Sequence, residues 1–379
     1  MTSTDVRPLR GAVAAALRTI DANLTEFGAG YPGDTTVGQR YRPRGANVGW
    51  TTSFWPGMVW LAYELTGEET YRRQAEAHVA GFAERIHGRV DIDTHDLGFL
   101  YTLSCVVPWR RTGDETARAA ALAAADHLLT RVLEPAGIIQ AWGDLDNAGQ
   151  RGRTIIDSLM NTPLLFWATR VTGDVRYADA ARRHAEQLRL HILRPDGTTF
   201  HTFYWDAVTG APLRGETEQG SADDSCWARG QAWGIYGFTL NYRHTGDPAL
   251  LDAARRCADR FLSRLPADHV PYWDLVFGDG SGEERDSSAA AIAFGGLHEL
   301  AAALGDESYA AAADRILASL IAAYGAGADS NALLRHGVYD KPKGVGVDEG
   351  TLWGDYFYLE ALTRATRPGW TAPWLNEEH

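Results

Sequence analysis

The residues best suited to carry chemistry are two aspartates that each precede a long apolar run. Asp96 lies in Asp91-Ile-Asp93-Thr-His95-Asp96-Leu-Gly-Phe-Leu-Tyr, and Asp157 lies in Thr-Ile-Ile-Asp157-Ser-Leu-Met-Asn161. A carboxyl group at such a boundary loses solvation, which raises its pKa and suits it to donate a proton near neutral pH. The alternative is structural, because Asp93, Asp96 or Asp157 could simply cap the helix that follows.

A third segment combines flat aromatic rings with planar hydrogen-bonding groups. It runs Glu218-Gln219-Gly-Ser-Ala-Asp-Asp-Ser-Cys-Trp227-Ala-Arg229-Gly-Gln-Ala-Trp233. Aromatic faces under sugar rings, with guanidinium and amide donors beside them, are typical of carbohydrate sites. Either Trp could equally be a core residue.

Several other kinds of site are disfavoured. The run from Asp91 to Asp96 has metal-ligand types, but the chain has no His-Glu-x-x-His or Cys-x-x-Cys partner motif, and we expect neither metal nor cofactor. A formal net charge of −13 argues against nucleic acid as a partner. An acidic protein that binds an acidic sugar must therefore gather its donors in one pocket.

The elements that must position these residues are predicted from a repeated turn. A glycine followed by an acidic residue ends one apolar stretch and begins an amphipathic one at five places, Gly67-Glu68, Gly113-Asp114, Gly173-Asp174, Gly246-Asp247 and Gly305-Asp306. Glycine suits a left-handed helix C-cap, and the acid suits the next helix N-terminus. Each turn is therefore predicted to join two helices.

A sixth pair, formed by helices near residues 11–24 and 353–366, would close an all-α ring of six hairpins, an (α/α)6 barrel. An open solenoid of the same helices is the alternative. No Pro-, Ser- or charge-rich linker divides the chain, so residues 1–379 are predicted to form a single domain.

Location is predicted from what the sequence lacks. Its first residues show no apolar leader, no run of apolar residues is long enough to span a membrane, and Cys105, Cys226 and Cys257 lack a disulfide-like spacing. We expect a cytoplasmic protein with reduced core cysteines and no membrane partner.

Taken together, the His95-Asp96-Leu-Gly-Phe run, the Asp157-x-x-Met-Asn161 run and the Trp227-Ala-Arg229-Gly-Gln-Ala-Trp233 run resemble glycoside hydrolase family 88, the unsaturated glucuronyl hydrolases. The likeness extends over nearly the whole chain, to Trp353-Gly-Asp-Tyr356. It implies the same six-hairpin barrel. It also implies a hydrolase of the unsaturated glucuronic acid that lyases leave at the non-reducing end of glycosaminoglycan-type oligosaccharides, acting as a monomer or homodimer.

The resemblance also implies roles for particular residues. Asp157 would be the general acid and base that protonates C4 of the vinyl ether, and Asp96 the second carboxylate. The residues implied to bind the sugar are His95, His201, Gln219, Arg229, Trp50, Trp142, Trp227, Trp233 and, as a weaker match, Tyr356.

Two other functions stay open at this point. One is a family 105-like hydrolase of unsaturated rhamnogalacturonyl disaccharides, and the other is a sugar-binding ring without activity. Preference for a sulfated substrate is also open, because the loop at Lys341 and Lys343 has lysines but no serine.

Overall fold

The structure is a computed structural model that describes residues 7–375. Helices dominate this range. In chain order they are α1 (Arg7–Phe27), α2 (Phe54–Thr66), α3 (Glu69–Glu76), α4 (Val79–His87), α5 (Leu97–Tyr101), α6 (Val107–Thr112), α7 (Glu115–Thr130), α8 (Thr162–Thr172), α9 (Val175–His191), α10 (Ala228–Thr245), α11 (Pro248–Ser263), α12 (Ser287–Leu304), α13 (Glu307–Ser319) and α14 (Leu352–Thr366). A π-helical turn, Thr102–Val106, joins α5 to α6.

The inner helices form a closed ring. In order around it, α2, α5 with α6, α8, α10, α12 and α14 each pack against the next, and α14 returns to α2. The outer layer alternates with them along the chain, and α1 packs against α14 to complete the sixth hairpin. The predicted (α/α)6 barrel is therefore confirmed, and the open solenoid is wrong.

The glycine of the repeated turn has the predicted left-handed geometry at all five places. Gly67, Gly113, Gly173, Gly246 and Gly305 all cap an inner helix with φ between 66° and 77°. This left-handed conformation is accessible to glycine at little cost. The acids at 114, 174, 247 and 306 accept backbone N–H groups of the next helix through their side chains, whereas Glu68 does not.

Short antiparallel strands lie in the connections at the other end of the ring, where the sequence showed few strand signals. They are β1 (Tyr31–Pro32), β2 (Pro43–Arg44), β3 (Val132–Leu133), β4 (Ile138–Ile139), β5 (Arg153–Ile155), β6 (Thr202–Trp205), β7 (Pro212–Glu216), β8 (Gly337–Asp340) and β9 (Val345–Glu349). Strands this short cannot show a clear alternation of polar and apolar residues. One set, β5-β6-β7, forms a three-stranded sheet beside Asp157.

The centre of the ring is filled by aromatic side chains. Phe99 lies 5.4 Å from Trp233 and 5.8 Å from Trp50 between ring centroids, and 5.9 Å from Trp374. Trp374 belongs to a 3-10 turn, Pro373–Leu375, near the end of the chain, and its Nε1 donates to the buried carboxylate of Glu360. This aromatic layer is the floor on which the site rests.

Helix α12 is long and apolar enough to cross a membrane by composition alone, with a mean hydropathy of 1.2 over its 18 residues. It is the one helix of this kind among residues 7–375, and 78% of it is buried in the ring. Packing against α10 and α14 accounts for its apolar character.

Candidate active site

Residues that precede the inner helices converge on one cavity of about 550 Å³. Trp50 lies before α2, Asp96 before α5, Asp157 before α8 and Trp227 before α10. Because inner and outer helices alternate along the chain and run in opposite directions, all inner helices are parallel and their amino ends meet at this end of the ring. The long connections therefore place chemistry on a rigid frame.

Asp157 is held by a hydrogen-bonded turn. It lies on a 3-10 turn, Ile156–Met160, directly after β5. The neighbouring Ser158 Oγ donates to the Ile155 carbonyl at 2.6 Å and lies 2.7 Å from His184 Nε2. Since His184 Nδ1 accepts the Ile139 N–H, its Nε2 carries the proton and donates to Ser158. The buried imidazole thus fixes the turn behind Asp157.

Asp96 is brought to the same place by a close approach of two backbones. A Cβ on Gly98 would lie 2.2 Å from the Cα of Asn161, so only glycine fits there. The Phe99 N–H donates to Asn161 Oδ1 at 2.7 Å and joins the two segments.

The capping alternative fails for the carboxylate of Asp96. Asp96 precedes α5, but its side chain accepts no backbone N–H of that helix among the described residues. It accepts instead the hydroxyl of Thr94 at 2.7 Å. Asp93 lies 3.0 Å from His127 Nε2, and its side chain is 74% exposed.

His95 lies between the two carboxyl groups. Its Nε2 is 3.3 Å from Asp96 Oδ1 and 3.6 Å from Asp157 Oδ1. Burial, and then the charge of Arg131, lower the pKa of His95 to about 3, so the ring is neutral at pH 7. Asp157 Oδ1 and His95 Nδ1 are buried with no hydrogen-bond partner within the described range.

The two carboxyl groups differ in how firmly they hold a proton. Burial, and then the negative charge of Asp96, raise the pKa of Asp157 well above its ordinary range. Burial raises the pKa of Asp96 to about 6, against the lowering effects of the Thr94 hydroxyl, Arg85 and Arg131. At neutral pH the pair therefore carries one proton, held on Asp157.

The same three residues could also hold a metal ion. Ligand atoms of His95, Asp96 and Asp157 all lie within 4.8 Å of one another. Two carboxylates and an imidazole are a donor set that divalent metals accept.

Ten of the eleven residues predicted for the site line this cavity. They are Trp50, His95, Asp96, Trp142, Asp157, His201, Gln219, Trp227, Arg229 and Trp233. The eleventh, Tyr356, is fully buried behind it, against Gly57 and Phe54.

His201 and Gln219 each have a donor available. His201 Nδ1 accepts the backbone N–H groups of Glu218 and Gln219, so its proton is on Nε2. Burial lowers the pKa of His201 to about 3, which keeps the ring neutral. The side-chain oxygen of Gln219 accepts from Arg229, which leaves the amide nitrogen for a ligand.

Arg229 is committed to protein partners. Its terminal nitrogens donate to Gln219, to the carbonyls of Val338 and Tyr339, and at 3.4 Å to Asp286. The guanidinium stacks 4.3 Å from the ring of Trp227. In this structure Arg229 gives the cavity positive charge and fixes the loop that carries Tyr339.

Five further residues line the cavity and were not assigned from the sequence. They are Arg153, Ile155, Glu218, Tyr339 and Lys343. Arg153 and Ile155 are the first and last residues of β5 and face the same side of that strand, and Asp157 follows on the 3-10 turn after it. Arg153 lies 5.2 Å from the ring centroid of Trp142 at the rim of the site.

The chain matches proteins with a known activity. Residues 34–367 match the model of Glycosyl Hydrolase Family 88. An unsaturated chondroitin disaccharide hydrolase of Streptococcus pneumoniae is 45% identical over 370 residues, covering 96% of this chain and 93% of that protein.

Solved structures agree with this match. An unsaturated glucuronyl hydrolase of Streptococcus agalactiae superimposes with a TM-score of 0.94 at 44% identity, covering 97% of this chain and 94% of the other. A mutant of that enzyme in complex with dGlcA-GalNAc6S superimposes with a TM-score of 0.87 at 40% identity, covering 98% and 95%.

Proposed function

This chain belongs to Glycosyl Hydrolase Family 88, and we propose that it removes the unsaturated uronic acid from the non-reducing end of chondroitin-type disaccharides. It is a hydrolase of the unsaturated glucuronyl type. The observation that carries the substrate is the pairing of a proton-retaining Asp157 with an ionised Asp96 in a cavity lined by Trp rings and neutral donors.

The first step that we propose is protonation of the double bond. Asp157 donates its proton to C4, and positive charge develops at C5, where the ring oxygen shares it. The ionised Asp96 stabilises that charge and, before the step, keeps the proton on Asp157. The neutral ring of His95 lies between them, with its Nε2 3.3 Å from Asp96 Oδ1 and 3.6 Å from Asp157 Oδ1, and it limits the positions that the two carboxyl groups can take.

Water completes the reaction. After donating its proton, Asp157 is a carboxylate and accepts a proton from the water that adds to C5. The product is a hemiketal. Opening of its ring leaves a ketone at C5 and a hemiacetal at C1, which releases the remaining sugar as an alcohol. One water is consumed, and Asp157 has returned to its protonated form.

A direct assay tests the substrate. Purified protein is incubated with unsaturated disaccharides from chondroitin, hyaluronan and rhamnogalacturonan, and the ultraviolet absorbance of the enol ether is followed. We expect the absorbance to fall with the glucuronyl disaccharides, and a saturated chondroitin disaccharide provides the blank. Constant absorbance with all of them contradicts the proposal, and loss with rhamnogalacturonan alone favours the family 105-like activity.

We also propose a cytoplasmic location and a single domain that works as a monomer or homodimer. Cys105, Cys226 and Cys257 are all buried and free, which fits a reducing compartment. Cell fractionation and light scattering of the purified protein test these points.

A further inference from the structure

The active-site cavity has a deep part and a mouth. His95, Trp233 and Arg229 lie in the deep part, and each is only 1% exposed. Trp142 and Arg153 are half-buried and lie at the mouth. The double bond belongs to the terminal sugar, so in the proposed reaction this sugar occupies the deep part and the sugar that leaves lies at the mouth. The side chains of the mouth therefore face the leaving sugar.

Arg153 is held in the mouth by its strand. It is the first residue of β5 and faces the same side as Ile155, about 7 Å away along the strand, and Asp157 follows on the next turn. Its backbone carbonyl accepts the Ala141 N–H at 3.0 Å, and its Nε donates to the Gln150 carbonyl at 3.0 Å. Arg153 is therefore placed beside the sugar that follows the one at Asp157.

The Arg and Lys side chains that line the cavity differ in their partners. Arg229 gives its terminal nitrogens to protein groups. Lys343 Nζ donates to Asp340 Oδ2 at 2.9 Å. The guanidinium of Arg153 lies over the ring of Trp142, 5.2 Å from its centroid, and its two terminal nitrogens have no hydrogen-bond or ion-pair partner among the described residues. Arg153 is thus the cation of this cavity that is available to a ligand.

The part of the mouth near Lys343 carries more negative than positive charge. The hydrogen bond with Asp340, and then the charges of Asp340 and Glu218, raise the pKa of Lys343. Glu218 is exposed and lines the cavity. One ammonium group there is matched by two carboxylates, so this part of the mouth has no net attraction for an anion. The attraction for an anionic group comes from Arg153.

We propose that Arg153 determines the specificity for the leaving sugar by binding a sulfate ester on it. A guanidinium group binds an oxyanion through two parallel N–H bonds, and the contact with Trp142 keeps this one in position before the ligand arrives. A sulfated chondroitin-type disaccharide is then the preferred substrate. The inference rests on the proposed function, and it assigns the selectivity to β5 rather than to the loop at Lys341 and Lys343.

Rates with three unsaturated chondroitin disaccharides test it: one without sulfate, one with a sulfate at C4 of the hexosamine and one with a sulfate at C6. We expect the unaltered protein to have a higher kcat/KM for at least one sulfated disaccharide than for the unsulfated one. Arg153→Gln should lower this ratio by about tenfold, through a higher KM for the sulfated disaccharide, because a charge-assisted bond is lost. Arg153→Lys keeps the charge without the planar fork and should lower the ratio by less.

The matched control is Arg214→Gln, which should leave the ratio unchanged. Arg214 also lies over an aromatic ring of this sheet, 4.6 Å from the centroid of Tyr204, but it pairs with Glu216 and is not among the described residues that line the cavity.

Three results would each overturn the inference. They are a ratio of one or less in the unaltered protein, a ratio that Arg153→Gln does not lower, and a larger fall in the ratio with Lys343→Gln. The first needs no variant, and turnover of the unsulfated disaccharide shows that a variant is folded. Absence of turnover with every disaccharide contradicts the proposed function instead.

Discussion

The two ends of the ring use the same helices for opposite purposes. At the amino ends, long connections bring buried carboxyl groups together and leave Asp157 Oδ1 without a partner. At the carboxyl ends, five tight glycine turns satisfy the backbone and arginines line the surface. The difference teaches that the proposed catalytic carboxyl groups lie at the end built from long connections, while the tight turns at the other end hold the hairpins in place.

A third buried aspartate shows that burial alone does not make a catalytic acid. Burial raises the pKa of Asp355, at the start of α14, to about 7. Its oxygens accept the N–H groups of Leu333 and Leu334 and the hydroxyl of Tyr41. Both carboxyl oxygens of Asp355 thus accept hydrogen bonds from the protein and fix the loop at Leu333 and Leu334. Asp157, by contrast, has one oxygen, Oδ1, without a partner among the described residues.

The largest expected effect is that of Asp157→Asn. The amide is nearly isosteric but cannot donate the proton, so kcat should fall by about 10³-fold or more, with unchanged circular dichroism. The control Asp146→Asn changes an exposed acid of the same connection and should leave kcat unaltered. Retention of a tenth of the activity would remove Asp157 from the acid role.

Asp96→Asn should lower kcat by about 10²-fold, because the cationic transition state loses its counter-charge. It should also stabilise the fold. The pKa of Asp96 is raised in the folded state, so the ionised group destabilises the fold at pH 7, by roughly 3 kcal/mol for a pKa of about 6.

Urea unfolding of Asp96→Asn at two pH values measures this second effect. The gain should be present at pH 7 and shrink towards pH 4, where the unfolded state also becomes protonated. A variant less stable than the parent at pH 7 would show that the hydrogen bond from Thr94 outweighs the cost of burial.

Two glycine substitutions compare the ends directly. Gly98→Ala at the catalytic end meets the backbone of Asn161 and should lower both kcat and the free energy of unfolding, the latter by about 2–3 kcal/mol. Gly246→Ala at the other end has open space around it and should cost only about 1 kcal/mol, from its positive φ, with kcat unchanged. Equal effects of the two on kcat would contradict the proposed division between the ends.

The pH profile of kcat should be bell-shaped. Activity should fall as pH drops through about 6, because Asp96 becomes protonated, and should fall again at alkaline pH as Asp157 loses its proton. Asp96→Asn should remove the acidic limb and keep the alkaline one. An acidic limb that persists in this variant would assign it to another group.

The smallest expected effect is that of metal removal. His95, Asp96 and Asp157 could hold an ion, but the proposed reaction needs none, so dialysis against EDTA should change kcat by less than about twofold. Activity that disappears and returns with added zinc or magnesium would contradict this.

The sequence was most informative about the helical hairpins, because a short glycine-acid motif marks the turn in each of five of them. Each glycine-acid turn predicts one hairpin, but the turns alone do not distinguish a closed ring from an open solenoid, a choice that depends on the contact of α14 with α2. It was less informative about the short strands: β5 has three residues, and its pairing with β6 depends on contacts that no local pattern encodes. Arg153 was missed for that reason, and the placement of Tyr339 and Lys343 in the cavity depends on the hairpin β8-β9, whose strands have only four and five residues.

The closure of the ring also determines when the protein can become active. α1 packs against α14, and Trp374 completes the aromatic floor under Phe99, so the first described helix and the last described turn both take part in closing the ring. Contacts of such long sequence separation form late in folding. We therefore expect a nascent chain to hold an open arc of hairpins with exposed apolar faces until the segment that carries α14 and Trp374 has left the ribosome, so that this topology requires protection by chaperones during synthesis.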